Sequence, residues 1–163
     1  MKMTSYWLDT TPPFSAGRPG GPSGRADVVV VGAGFTGLSA ALALAKKGAS
    51  VIVLEADRVA SAASGRNGGM CNNGFAQDYA GLSSRLGRER ANLLWRAFDA
   101  GVDKVEAIVT EEGIECHFGR VGKLKLAAKP EHYDKIARSQ ELLAREVAIR
   151  TDLRVHLRSR HHP

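Results

Sequence analysis

Asp27 to Val31 is a continuous apolar, β-branched run, the pattern of a short strand buried on both faces. From Phe35 to Lys47 the chain becomes rich in Ala and Leu, which predicts a helix, and Gly48 supplies its stop. Val51 to Leu54 returns to a β-branched run and predicts a second strand. Together they make one strand–loop–helix–strand unit. Further on, Ala91, Leu94, Phe98, Val102, Val105 and Val109 recur at three- and four-residue steps. That spacing predicts a long amphipathic helix from Gly87 to Gly113, with Trp95 in its apolar stripe. Ile114–Phe118 and Val121–Ala127 read as two short strands around Gly119-Arg120, the second with Lys123 and Lys125 on a wet face. Pro130, with Glu131 behind it, suits the first turn of a last helix whose stripe is Ile136, Leu143 and Val147. Residues 11–25 are rich in Pro, Gly and Ser and predict a linker, ahead of which Tyr6 and Trp7 are either a loose terminus or an arm that packs back.

The chemistry begins between the first strand and the first helix. Gly32, Gly34 and Gly37 form G-x-G-x-x-G in the context that motif requires. Gly32 allows the tight turn, Gly34 lets a pyrophosphate approach the backbone, and Gly37 lets the helix pack close to the sheet. Phe35 and Thr36 offer backbone N–H groups at the helix start, where an anion is favoured. Glu55 ends the second strand and is placed to accept hydrogen bonds from ribose hydroxyls. An acid there disfavours a 2′-phosphate, hence NADP; both FAD and NAD fit these residues. Val28 to Ala45 is nearly free of charge and long enough to resemble a membrane span, but the glycine spacing and the Lys46-Lys47 flank argue for a buried strand and helix instead.

A second motif follows closely, Ala62-Ala63-Ser64-Gly65-Arg66-Asn67-Gly68-Gly69. Ser64 can donate a hydroxyl hydrogen bond, Arg66 can neutralise phosphate charge, and the glycines let backbone N–H groups crowd an anion or a ring. Taken with the unit before it, this stretch resembles the D-amino-acid-oxidase-like family of FAD-dependent oxidoreductases, nearest the branch that contains gamma-glutamylputrescine oxidoreductase. Ser5-Tyr6-Trp7-Leu8-Asp9-Thr10 is similar to the start of that branch, and the resemblance is strongest over residues 26–75. It implies FAD as cofactor and a small amine or amino acid as substrate, oxidised by hydride transfer to the flavin. It also implies that Ala63 and Ser64 lie by the pyrophosphate, and that Gly68, Gly69 and Met70 pass near the isoalloxazine. The implied cofactor-binding set is Gly32, Ala33, Gly34, Phe35, Thr36, Gly37, Glu55, Ala56, Ala63, Ser64, Arg66, Asn67, Gly68, Gly69 and Met70. No catalytic base or substrate clamp can be named. Cys71 just after the loop reads as a small buried thiol rather than a flavin tether.

Composition changes this picture little. With 44% hydrophobic and 25% charged residues the chain has the make-up of an ordinary soluble globular protein. Two separated cysteines and the lack of a basic-then-apolar start point to the cytoplasm. The net charge is +6, and from Arg145 onward five arginines face two acids. No aromatic interleaving accompanies them, so nucleic acid is not an expected partner. His117 has no metal-ligand spacing nearby; His156, His161 and His162 could bind metal, but a disordered basic tail is the expected reading, and no metal is expected.

The expected fold is α/β, a Rossmann-like FAD/NAD(P)-binding domain that is incomplete, with the start of a mixed α/β substrate region. Its parts are an arm and linker (1–25), the FAD-binding unit and flavin-side loop (26–80), a helix, strand pair and helix (81–150) and a basic tail (151–163). The resemblance fades near residue 153, so an N-terminal fragment with a short unrelated, frameshifted tail is expected. An NAD-dependent dehydrogenase fragment and a non-enzymatic nucleotide-binding remnant remain the alternatives.

Overall fold

The computed structural model describes residues 3–18, 20–21 and 23–148. They fall into two compact units, one ending at Met70 and the other beginning at Cys71.

The first unit contains the short helix α1 (Tyr6–Thr10), strand β1 (Val28–Val31), helix α2 (Phe35–Ala45) and strand β2 (Val51–Leu54), followed by a 3₁₀ turn at Ala63–Gly65. The strands pair in parallel, Val28 opposite Val51 and Val31 opposite Leu54. Parallel neighbours need a crossover, and α2 supplies it, packing on both strands. A polar clamp sets the register at the start. The Asp27 carboxylate accepts from the Ser50 hydroxyl at 2.7 Å and the Ser50 N–H at 2.8 Å, while the Asp27 N–H donates to the Ser50 carbonyl at 3.1 Å. The Ser50 hydroxyl, with the Ser50 backbone, holds the Asp27 carboxyl below its usual range. At the other end, the Gly32 N–H donates to the Leu54 carbonyl at 2.7 Å. Helix α2 stops two residues before Lys47, and Gly48, at φ +89°, takes the left-handed conformation that closes it.

One expectation fails here. β1 is not buried on both faces: its burial alternates, and Val31 is 84% exposed. The described sheet has only two strands, and α2 covers one face of it. An apolar run marks a strand suited to full burial; it does not provide the second cover.

The second unit is built from α3 (Tyr79–Leu86), α4 (Arg88–Glu111) and α5 (Pro130–Glu146). The long helix begins and ends as the stripe predicts, but α3 ahead of it has no long period to announce it. Its signal is local: Asp78 caps it, accepting from the Gly81 N–H at 2.8 Å, and Gly87, at φ +80°, separates it from α4. The core is Tyr79, Leu82, Ala91, Leu143 and Val147, with Phe75, Leu86, Trp95 and Leu142 packed round it. Trp95 sits edge-on to Tyr79 at 5.5 Å, a member of the apolar cluster as its position in the stripe predicts. Pro130 lies in the first turn of α5, and Leu143 and Val147 are the buried members of its stripe.

A polar network ties α5 to the rest of this unit. The buried Tyr79 hydroxyl donates to Glu146 Oε2 at 2.9 Å and lies 3.2 Å from Asn92 Oδ1, and Asn92 Nδ2 donates to the Glu146 carbonyl at 3.1 Å. Burial first, and then the bond to Glu146, pushes the Tyr79 hydroxyl up to about 12. Burial raises the Glu146 carboxyl, but the Tyr79 hydroxyl and Arg145 more than offset this and hold it low.

Two further readings are corrected. Residues 114–118 and 121–127 form no strands. Val121, Leu124 and Leu126 stay exposed, and a lone two-stranded hairpin without a covered apolar face is marginal in water. Cys71 is exposed rather than buried, standing at the open start of an irregular stretch. Cys116 and His117 are likewise exposed. The basic tail with His156, His161 and His162 lies outside the described residues.

Candidate functional site

The site grows from the way β1 hands over to α2. Gly32 leaves the strand at φ +96°, a conformation that L side chains rarely adopt. Gly37 is the point of closest approach: a Cβ there would run into the Gly32 carbonyl oxygen and come within 3.2 Å of Val30 Cγ1. The first turn of α2 is thereby pressed against the end of the strand. Its leading N–H groups have no acceptor within the helix, and the helix dipole adds positive potential at the same place.

A cavity of about 410 Å³ opens there. Val31, Gly32, Gly34, Phe35, Thr36 and Gly37 line one side, and Ala63 and Ser64 come in from the later loop. The Phe35 N–H donates to Ser64 Oγ at 3.0 Å, so a side chain far along the sequence caps the helix. A Cβ at Gly34 would lie 3.0 Å from that same hydroxyl oxygen. The space is kept open by a missing side chain and faced by donors.

Ala33, between two of the glycines, is buried beneath the turn. Glu55 Oε2 accepts from the Ala33 N–H at 2.7 Å, and Oε1 accepts from the Asp57 N–H at 3.1 Å. The Ala33 bond, then the Asp57 bond, lowers the Glu55 carboxyl below its ordinary value. Glu55 therefore braces the turn as well as standing at the end of β2, a bond that spacing alone does not reveal. Ala56 is exposed beside it. The Ala60 N–H donates to the Ala33 carbonyl at 3.0 Å and ties the following loop down.

Arg66, Asn67, Gly68, Gly69 and Met70 do not line the cavity. They continue from the 3₁₀ turn as an exposed loop. Asn67 organises it: its Nδ2 donates to the Ser64 carbonyl at 2.5 Å, and its Oδ1 accepts from the Gly69 N–H at 2.7 Å. The residues that pattern reading did not assign to the site are Ser5 and Trp7. Ser5 Oγ donates to the Gly65 carbonyl, and Trp7 Nε1 donates to the Asn67 carbonyl at 2.8 Å. The aromatic pair ahead of the linker was a signal for a packed arm, but nothing in its spacing indicates the loop it meets. Among the described residues no group of His, Cys, Asp and Glu is placed to hold a metal ion, and no helix is long and apolar enough to cross a membrane.

A parallel strand pair joined by a helix, with a glycine turn aimed at an open donor-lined cavity, defines a Rossmann-like dinucleotide-binding unit. Residues 27–161 match the family described as FAD dependent oxidoreductase (DAO), and the chain belongs to that family. The match runs past residue 153, where the resemblance is expected to fade. Two similar proteins carry the name "Probable oxidoreductase OrdL". The one from Haemophilus influenzae is 40% identical over 112 residues, covering 69% of this chain and 26% of its own length. The one from Rhizobium meliloti is 35% identical over 113 residues, covering 69% and 26%. The gamma-glutamylputrescine oxidoreductase of Escherichia coli is 36% identical over 115 residues, covering 71% of this chain and 27% of its own. The chain thus spans about a quarter of the length of these relatives. No solved structure gives a significant match.

Proposed function

We propose that the turn from Gly32 to Gly37, together with Ala63 and Ser64, holds the pyrophosphate of FAD, and that Glu55 holds its ribose. The observation that carries this reading is the cavity lined by the N-terminus of α2 and by Ser64, whose hydroxyl accepts from the Phe35 N–H where Gly34 carries no side chain. The donor set suits the group: first-turn N–H groups and a helix dipole stabilise diphosphate charge. Glu55 is kept ionised by the bonds from Ala33 and Asp57, and a carboxylate has about four lone-pair sites, so acceptor capacity remains for ribose hydroxyls. Arg66, Asn67, Gly68, Gly69 and Met70 extend the same site toward the isoalloxazine, with Arg66 placing a positive charge on that side.

When bound, the flavin supplies a two-electron acceptor for a hydride from the carbon that carries a substrate amino group. The residues of this chain bind and orient it, and no acid or base among them is assigned to the proton. The reaction class we propose is the oxidation of a small amine or amino acid. The likeness to a gamma-glutamylputrescine oxidoreductase supports that class, as does family membership. We place this activity in a protein longer than the present chain, whose second unit opens the substrate region, and in the cytoplasm, where exposed free thiols such as Cys71 and Cys116 stay reduced.

Thermal unfolding with and without nucleotide tests the cofactor. A ligand specific to the native state at a hundred times its Kd stabilises it by about 2.7 kcal/mol. FAD should raise the midpoint and co-purify as a yellow chromophore, and NADH at the same concentration should leave the midpoint unchanged. A melt that FAD does not move, or that NADH moves instead, overturns the reading.

A further inference from the structure

We propose that the N-terminal segment around α1 is a positioning strap: Ser5 and Trp7 hold the Ser64–Gly69 loop in the shape that presents Ser64 to the N-terminus of α2, and so set the affinity of the site for a dinucleotide. The proposal rests on the FAD reading above and adds residues to it.

The contacts form a continuous path within the first unit. Trp7 Nε1 donates to the Asn67 carbonyl at 2.8 Å, and Ser5 Oγ donates to the Gly65 carbonyl. Asn67 then holds both sides of its own turn, the Ser64 carbonyl at 2.5 Å and the Gly69 N–H at 2.7 Å. Ser64 Oγ accepts from the Phe35 N–H at 3.0 Å. The indole also lies close against the loop backbone at Gly69. A Cβ built on Gly69 would collide with the Trp7 ring, and one built on Gly65 would lie 3.0 Å from the Leu8 side chain. Gly69, at φ +67°, and the buried Gly65 are therefore the places where strap and loop meet.

The physical reason for a strap is the loop's composition. Gly65, Gly68 and Gly69 give it much backbone freedom, which must be removed before it can present a fixed hydroxyl. The loop's own side-chain bonds come from one residue, Asn67. Two bonds from the strap and an apolar contact fix it in advance, and a site ordered in advance binds more tightly than one ordered by its ligand. Trp7 is a positioning residue in this scheme: it acts through Asn67 and lines no part of the cavity.

The test uses the full chain and three variants, Trp7→Ala, Trp7→Phe and Ser5→Ala, with two readouts. The first needs no cofactor: the rate of tryptic cleavage after Arg66, which lies exposed in the strapped loop. The second is the Kd for FAD, read from quenching of flavin fluorescence. Trp7→Ala should raise the cleavage rate and weaken FAD by about ten-fold, the effect of one lost hydrogen bond on an equilibrium. Trp7→Phe should recover part of both, because the ring still packs on Gly69. Ser5→Ala should move both in the same direction by less. Unchanged cleavage after Arg66 in Trp7→Ala and Ser5→Ala overturns the strap. Faster cleavage with an unchanged Kd overturns its link to the cofactor. Failure of the parent chain to bind FAD defeats the FAD reading, and with it that link; the cleavage rates then still decide whether the strap holds the loop.

Discussion

The two units of this chain solve opposite problems. The first has chemistry and little core: Ala33 and Ala41 are its buried apolar residues beside the glycine turn, while Val29, Val31 and Phe35 remain exposed. The second has a core and no assigned chemistry: Tyr79, Leu82, Ala91, Leu143 and Val147 pack together, and Tyr79, Asn92 and Glu146 bond to one another beside them. The first is held by backbone geometry and short polar clamps, such as Asp27 on Ser50 and Glu55 on Ala33. The second is held by side-chain packing. A motif can therefore be fully formed where burial is slight, because a glycine turn needs close backbone approach and not a large apolar volume.

The comparison breaks most sharply at Gly37. Gly37→Val puts a branched side chain into the Gly32 carbonyl, and overpacking at a backbone contact costs about 3 kcal/mol or more. FAD binding should be lost, and hydrogen exchange should speed up in β1 and α2 while α3 to α5 keep their protection. Leu82→Ala is the converse experiment. It should cost about 2–5 kcal/mol in urea unfolding of the second unit, with exchange accelerated in α3 to α5.

Next in size is Ser64→Ala, which removes the acceptor of the Phe35 N–H. Titration with FAD should show binding weakened by about ten-fold. Equal affinity would mean that the helix N-terminus needs no partner from the loop.

The Tyr79–Glu146 pair gives the second unit a pH signature. Glu146 titrates below its ordinary value of 4.5 when folded. Its contribution is therefore complete above that value and is lost as pH falls through the lower folded one. The melting midpoint of the chain should drop on acidification through this window, and Glu146→Gln should flatten the drop. Tyr79→Phe should do the same and cost about 1–3 kcal/mol at neutral pH by leaving a buried acceptor unpaired. The smallest effect belongs to Arg120, which bridges Asp103 and Glu106 at the surface. Arg120→Ala should leave the melting midpoint almost unmoved, and shift it less still in high salt.

How far the sequence could be read depends on how far apart in the chain the partners lie. Gly32 and Gly37 announced the turn, and Val28–Val31 and Val51–Leu54 announced the strands, because each signal lies within a few residues. Pro130 and the stripe through Leu143 announced α5 for the same reason. The pattern misled where an element needs a partner that local spacing cannot supply: residues 114–127 alternate like strands but find nothing to pair with, and β1 is apolar on both sides but covered on one.

The sequence by itself determined the βαβ unit and its glycine turn, since these follow from backbone conformations that only certain residues adopt at fixed spacings, and its two motifs carried the resemblance to the family. Only the tertiary structure decided that Glu55 braces Ala33, that Ser64 caps α2, that Trp7 reaches Asn67, and that Tyr79 holds Glu146. Those bonds join residues tens of positions apart, and no local preference records which distant partner the folded chain brings within hydrogen-bond reach.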